Sequence, residues 1–142
     1  MFSKACEYGI RATLHIAQQS KKGMRSNIGE ISKAVNSPEA FTAKIMQKLV
    51  KNGVIESKKG PLGGFFIAHN SKTKIIDIVF AIDGDSIYNG CGLGLAECTE
   101  AHPCPLHDGF VSIRSELKQM LNTTEILTLT GKLDSGFTFL KL

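Results

Sequence analysis

The chain has 142 residues, 42% of them hydrophobic, and 17 Lys/Arg against 13 Asp/Glu, for a formal net charge of +4. That is enough for one folded unit with an appendage, and no apolar run approaches the roughly 20 residues needed to span a bilayer, which excludes a membrane-spanning role. The charge is uneven: residues 1–83 carry 13 Lys/Arg against 6 Asp/Glu, whereas residues 84–142 carry 4 against 7, which points the front part toward a polyanion.

The opening stretch, MFSKACEYGIRATLHIAQQ, is interrupted by Glu7 and Arg11 and lacks the basic, apolar and small-residue order of a secretory signal. A cytoplasmic protein with reduced thiols is expected. Within it Cys6, Ile10, Leu14 and Ala17 recur at helical spacing and predict a first helix over residues 4–19. Cys6 falls on its apolar stripe and reads as core. The basic loop KKGMRS ends this helix. Asn27 then caps a short second helix, with Glu30 placed to reach back to the Asn27 amide and Ile28, Ile31 and Val35 facing inward.

Ser37, Pro38 and Glu39 follow as a capping hydroxyl, a proline at the first helical position and an acid at the positive helix start. The third helix so begun has Phe41, Ile45 and Leu49 on its apolar face, Thr42, Lys44, Lys48 and Lys51 opposite, and Asn52-Gly53 as its stop. Two β-prone runs around Gly60-Pro61-Leu62-Gly63-Gly64 then predict a hairpin with Lys58 and Lys59 at its tip. Helix, turn, helix and basic hairpin in this order describe a winged helix-turn-helix. Its second helix enters the major groove of double-stranded DNA while the wing touches backbone or minor groove. A further helix over residues 73–83, through Ile75, Ile76, Val79, Phe80 and Ile82, closes the core.

Leu106, Phe110, Ile113, Leu117 and Met120 recur at steps of four, three, four and three. They predict a helix starting at Pro105 with a heptad seam suited to a dimer. The tail, Leu133 to Leu142, alternates weakly around Phe137 and Phe139. The expected fold class is mainly α with one small hairpin. It divides into a DNA-binding domain (residues 1–83), a cysteine-rich loop (84–105), and a dimerisation helix with its tail (106–142).

That loop, CGLGLAECTEAHPCPLH, holds three of the chain's four cysteines. The gaps between Cys91, Cys98 and Cys104 are wider than the Cys-x-x-Cys pairs of zinc ribbons, and His107 follows at once. Such spacing lets three thiolates converge on an iron–sulfur cluster; structural zinc and a thiol redox switch remain the alternatives. Cys104, expected at the N-cap of the long helix, is placed where free amides favour a thiolate. His102 is a competing ligand within the loop. No nucleotide-binding fingerprint and no nucleophile–base set accompany the loop, so an enzyme is not expected.

The run ISKAVNSPEAFTAKIMQKLVKNGVIESKKGPLGGFFIA, followed by the three-cysteine loop, resembles the bacterial winged-helix iron–sulfur transcription regulators of the IscR/NsrR-like kind. The resemblance extends from residue 1 to about residue 125. It implies a homodimer on a palindromic operator, with a cluster bound by Cys91, Cys98 and Cys104 that alters DNA affinity. It also implies a fourth ligand: His107 with a [2Fe–2S] cluster, the favoured form, or Glu7 of the partner subunit with a [4Fe–4S] cluster. DNA contacts are then expected from Ser37, Glu39, Ala40, Phe41, Lys44 and Lys48 at the recognition helix, and from Lys58, Lys59, Gly60 and Pro61 on the wing. The chain departs from the family pattern in a first cysteine gap of six residues where five is common. Lys59 also stands where an arginine often enters the minor groove, and lysine, being more strongly hydrated, suits a narrow groove less well.

Overall fold

The structure, a computed structural model, describes residues 1–140. Helix α1 (Lys4–Lys21) begins at Ser3, whose hydroxyl accepts the Cys6 amide and whose own N–H donates to Asp83 at 3.0 Å. Its inward face runs through Cys6, Ala12, Leu14, Ile16 and Ala17, so it is the central rod of the molecule. Helix α2 (Ile28–Val35) starts as expected at Asn27, whose side-chain oxygen accepts the Glu30 amide. Glu30 reaches back, but to the Asn27 side-chain amide rather than to its backbone N–H. Asn36 ends α2 in the left-handed conformation, φ 55°, a role asparagine fills with little strain.

Helix α3 (Glu39–Lys51) begins one residue later than the sequence indicates, with Pro38 at its N-cap. Ser37 does not cap α3: its side chain is buried and its hydroxyl has no partner among the described residues. The buried stripe of α3 is Thr42, Ile45, Met46 and Leu49. Thr42, assigned to the outer face by its polarity, is only 1% exposed because its hydroxyl returns to the Pro38 carbonyl at 3.0 Å. A threonine that satisfies its own hydroxyl within the helix can pack as a small apolar residue. The stripe is thereby turned toward Met46, and Phe41 sits half-buried against Tyr8, ring centroids 5.8 Å apart and edge to face.

Strands β1 (Glu56–Lys58) and β2 (Gly64–Phe66) pair antiparallel with Glu56 opposite Phe66 and Lys58 opposite Gly64. Lys58 therefore lies in the strand, and Lys59 opens the tip. Ser26 adds a bridge to Phe65, so the hairpin is stitched to the α1–α2 loop. Helix α4 (Ile75–Asp83) buries Ile75, Ile78 and Val79, whereas Phe80, expected in the core, is 58% exposed. A single turn, α5 (Ser86–Asn89), leads to the cysteine loop.

Helix α6 (His107–Thr123) starts two residues after Pro105 and has one buried residue, Leu121. Leu106, Ile113 and Met120, spaced by seven, are 46%, 61% and 49% exposed, and Phe110 and Leu117 between them are half-buried. The chain then turns back: α7 (Ile126–Asp134) lies on α1, burying Ile126 and Thr130 in the same core, with Asp134 accepting from Gln18 and Lys21 at 3.0 Å each. The residues after α7 form turns, with no strand among the described residues; Phe137 and Phe139 are exposed, and Lys141 and Leu142 lie outside that description. Among the described residues no helix is long and apolar enough to cross a membrane.

Candidate metal centre and nucleic-acid interface

The three loop sulfurs converge. Cys91, Cys98 and Cys104 place their Sγ atoms within 4.8 Å of one another, and all four cysteines of the chain are free thiols. Cys91 and Cys104 stand 3.7 Å apart, the edge length of a tetrahedron whose metal–sulfur bonds are about 2.3 Å. His107, in the first turn of α6, brings Nδ1 to 3.1 Å from Cys98 Sγ. It stands outside the mutual group of three, so it joins through Cys98. The donors thus form one group of three sulfurs, with the His107 imidazole attached at Cys98. Soft thiolates with one imidazole are the donor set of iron and zinc, not of calcium or magnesium.

Proximity of the sulfurs is built by the backbone. The Leu93 amide donates to Cys91 Sγ and the Cys104 amide to Cys98 Sγ, both at 3.4 Å. Thr99 and His102 exchange backbone hydrogen bonds at 3.3 and 3.1 Å, closing the turn between the second and third cysteines. His102 itself is exposed and lines a cleft of about 440 Å³ beside Cys98 and Cys104. The loop is seated on α6, where a Cβ on Gly92 would meet the Phe110 ring at 2.6 Å and Arg114 donates to the carbonyl of Gly90, next to Cys91. Lys118 adds a bond to Asn89 Oδ1 at 3.2 Å and lies over the Tyr88 ring. Arg114, Lys118 and Gly92 carry no motif, and only the folded arrangement reveals them.

The electrostatics fall on a different cysteine from the one expected. Because α6 begins at His107, Cys104 is not its N-cap; instead its carbonyl accepts the His107 amide at 3.0 Å. Burial raises the Cys104 pKa above the ordinary thiol value. Cys91 moves the other way, down to about 7, chiefly through the backbone N–H groups of Leu95 and Leu93. Glu7, the alternative ligand, lies in the first turn of α1, paired with Lys4 at 3.1 Å, and within one chain it is not brought to the thiols.

On the basic side of the chain, α3 exposes Glu39, Ala40, Lys44, Lys48 and Lys51, while Ala43 and Phe41 are half-buried and Ser37 is covered. The wing exposes Lys58, Lys59, Gly60 and Pro61.

Comparison with known proteins agrees with this architecture. A provisionally named HTH-type transcriptional regulator of Aquifex aeolicus (strain VF5) is 31% identical over 129 residues, covering 89% of this chain and 88% of that protein. The HTH-type transcriptional regulator IscR of Photorhabdus laumondii subsp. laumondii is 26% identical over 139 residues, covering 90% and 83% respectively. Among solved structures, CymR (YrzC), the global cysteine regulator of B. subtilis, superposes with a TM-score of 0.75 at 19% identity, covering 92% of this chain and 96% of that one. T. potens IscR gives 0.74 at 15% identity, covering 99% and 93%. These two share the winged-helix fold with the present chain. The sequence profile of the Rrf2 family, described as iron-dependent transcriptional regulator, matches residues 2–132, and the chain belongs to that family.

Proposed function

We propose that the protein is a homodimeric DNA-binding transcriptional regulator whose occupancy of a palindromic operator is set by an iron–sulfur cluster held by Cys91, Cys98, Cys104 and His107. The observation that carries this reading is the convergence of three sulfurs with an imidazole beside one of them. A single tetrahedral zinc ion needs every ligand within about 4 Å of every other, whereas here His107 reaches one sulfur and stands apart from the group of three. A donor set that extends beyond the reach of one ion would suit a two-iron cluster, and histidine is a known replacement for cysteine at such centres. When bound, the cluster supplies a centre sensitive to iron supply and oxidants. The chain's own residues gather its ligands: the Leu93, Leu95 and Cys104 amides face sulfur, and Arg114 and Phe110 hold the loop on α6.

The exposed Leu106, Ile113 and Met120 stripe on α6 supports an intersubunit seam, since groove-reading helices work in two-fold pairs. The exposed lysines of α3 and the wing support DNA contact, with Lys44 at a base edge and Lys58 at phosphate.

Anaerobic purification followed by visible spectroscopy and iron and sulfide analysis tests the reading. A coloured protein that loses its absorbance on changing Cys91, Cys98 or Cys104 to alanine is expected. Colourless protein with stoichiometric zinc refutes it. A second reading, a thiol switch, is favoured by the 3.7 Å separation of Cys91 and Cys104 and the lowered Cys91 pKa, and predicts reversible loss of two thiols on oxidation without metal.

A further inference from the structure

The wing tip has no apolar seat. Lys59, Gly60 and Pro61 are exposed and Leu62 is 87% exposed, so packing does not fix the tip's conformation. The tip closes on itself through the Gly63 amide and the Gly60 carbonyl at 2.9 Å. Among the described residues one hydrogen bond joins it to the chain outside the hairpin: Arg25 Nη1 donates to the Leu62 carbonyl at 3.1 Å. The same guanidinium lies over the Phe66 ring, 5.1 Å from its centroid.

Arg25 is itself held. Its neighbour Ser26 exchanges both backbone bonds with Phe65, at 3.1 and 2.8 Å. Gly64, with φ +138°, lets this approach happen: a Cβ there would lie 2.8 Å from the Ser26 carbonyl. The α1–α2 loop and β2 are therefore locked together at the base of the wing, and the Arg25 side chain runs from that lock to the tip. A planar guanidinium donates in its plane while stacking on an aromatic face, and a lysine ammonium cannot do both.

We propose that Arg25 is a positioning residue for the wing: by holding the Leu62 carbonyl and covering Phe66 it keeps the tip in one conformation before DNA arrives. This rests on the wing being a DNA contact. Lys58 and Lys59 then meet the duplex without the cost of ordering a mobile loop, and Arg25 acts through them rather than on a phosphate of its own.

Hydrogen exchange of the full-length, DNA-free protein and a double-mutant cycle on operator DNA test this. In Arg25→Ala the Gly63 amide, which closes the tip on the Gly60 carbonyl, is expected to exchange faster, with unchanged far-UV circular dichroism. Arg25→Lys, which keeps the charge but not the planar face, is expected to behave alike. Operator affinity is expected to fall roughly tenfold in Arg25→Ala, the scale of one ordering cost. That loss is expected to vanish when the change is made in the Lys58→Ala, Lys59→Ala background, because the wing then has nothing left to position. Full additivity in the cycle overturns the proposal and makes Arg25 a direct DNA contact. Unchanged exchange in Arg25→Ala overturns it as well. Intact operator affinity in the Lys58→Ala, Lys59→Ala protein refutes the DNA-binding wing, and the proposal with it, whatever Arg25→Ala does.

Discussion

Changing Ile113 to alanine separates a dimer seam from a core helix. The substitution deletes three carbons, each stabilising by about 0.8 kcal/mol when fully buried. In the single chain Ile113 is 61% exposed, so only that share is left for a partner to cover. The expected loss is then about 1.5 kcal/mol per copy and, because a two-fold interface contains the residue twice, about 3 kcal/mol per dimer. That corresponds to roughly a 100-fold weaker dimer. Sedimentation equilibrium over a range of protein concentrations measures it, and melting of the monomeric form should be little affected. Leu121→Ala on the same helix should do the opposite: Leu121 has no exposed surface, and its loss should cost about 2–5 kcal/mol of fold stability through the cavity it leaves. An unchanged dissociation constant in Ile113→Ala, or a wild-type chain that stays monomeric at high concentration, would refute the seam.

His107→Ala should make the cluster labile, shortening the anaerobic lifetime of its visible absorbance, whereas Glu7→Ala should not; the reverse result moves the fourth ligand to Glu7 of the partner subunit. Lys44→Ala should weaken operator binding by about 1–3 kcal/mol and relax the preference at one base pair per half-site. Lys58→Ala should instead weaken operator and scrambled duplex alike and lower the salt slope by about one. Titrations of both duplexes at several salt concentrations distinguish these cases. Gln18 and then Lys21 hold the Asp134 carboxyl below its usual pKa. A lowered pKa in the folded state stabilises above the unfolded carboxylate value and is lost as pH falls through the lowered one. Protection factors of the α7 amides, taken against the intrinsic exchange rate at each pH, should therefore fall on acidification through that window, and Asp134→Asn should flatten the dependence.

Local signals were legible wherever one stretch of chain contained both partners of an interaction. Asn27 and Glu30 marked the start of α2 because the cap and its amide are three residues apart. Asn52 and Gly53 marked the end of α3, and the glycine-rich stretch between β-prone runs marked the wing. The cysteine loop was legible for the same reason: Cys91, Cys98, Cys104 and His107 lie within seventeen residues, and a loop that short brings them together.

Periodicity says which residues share a face, but not which neighbour covers it. It therefore determined that α1, α3, α4 and α6 are amphipathic helices, while the tertiary structure decided that Thr42 turns inward and Phe80 outward. The return of α7 onto α1 depends on contacts such as Gln18 with Asp134, 116 residues apart, which no local pattern encodes. The thiol chemistry was decided the same way. Two amides folded onto Cys91 lower its pKa while burial raises that of Cys104, because a pKa follows the surroundings in space and not the order of residues along the chain. The sequence by itself determined the winged helix and the three cysteines that the fold gathers; the packing of loop on α6, and of Arg25 over the wing, exists only once the chain has closed around α1.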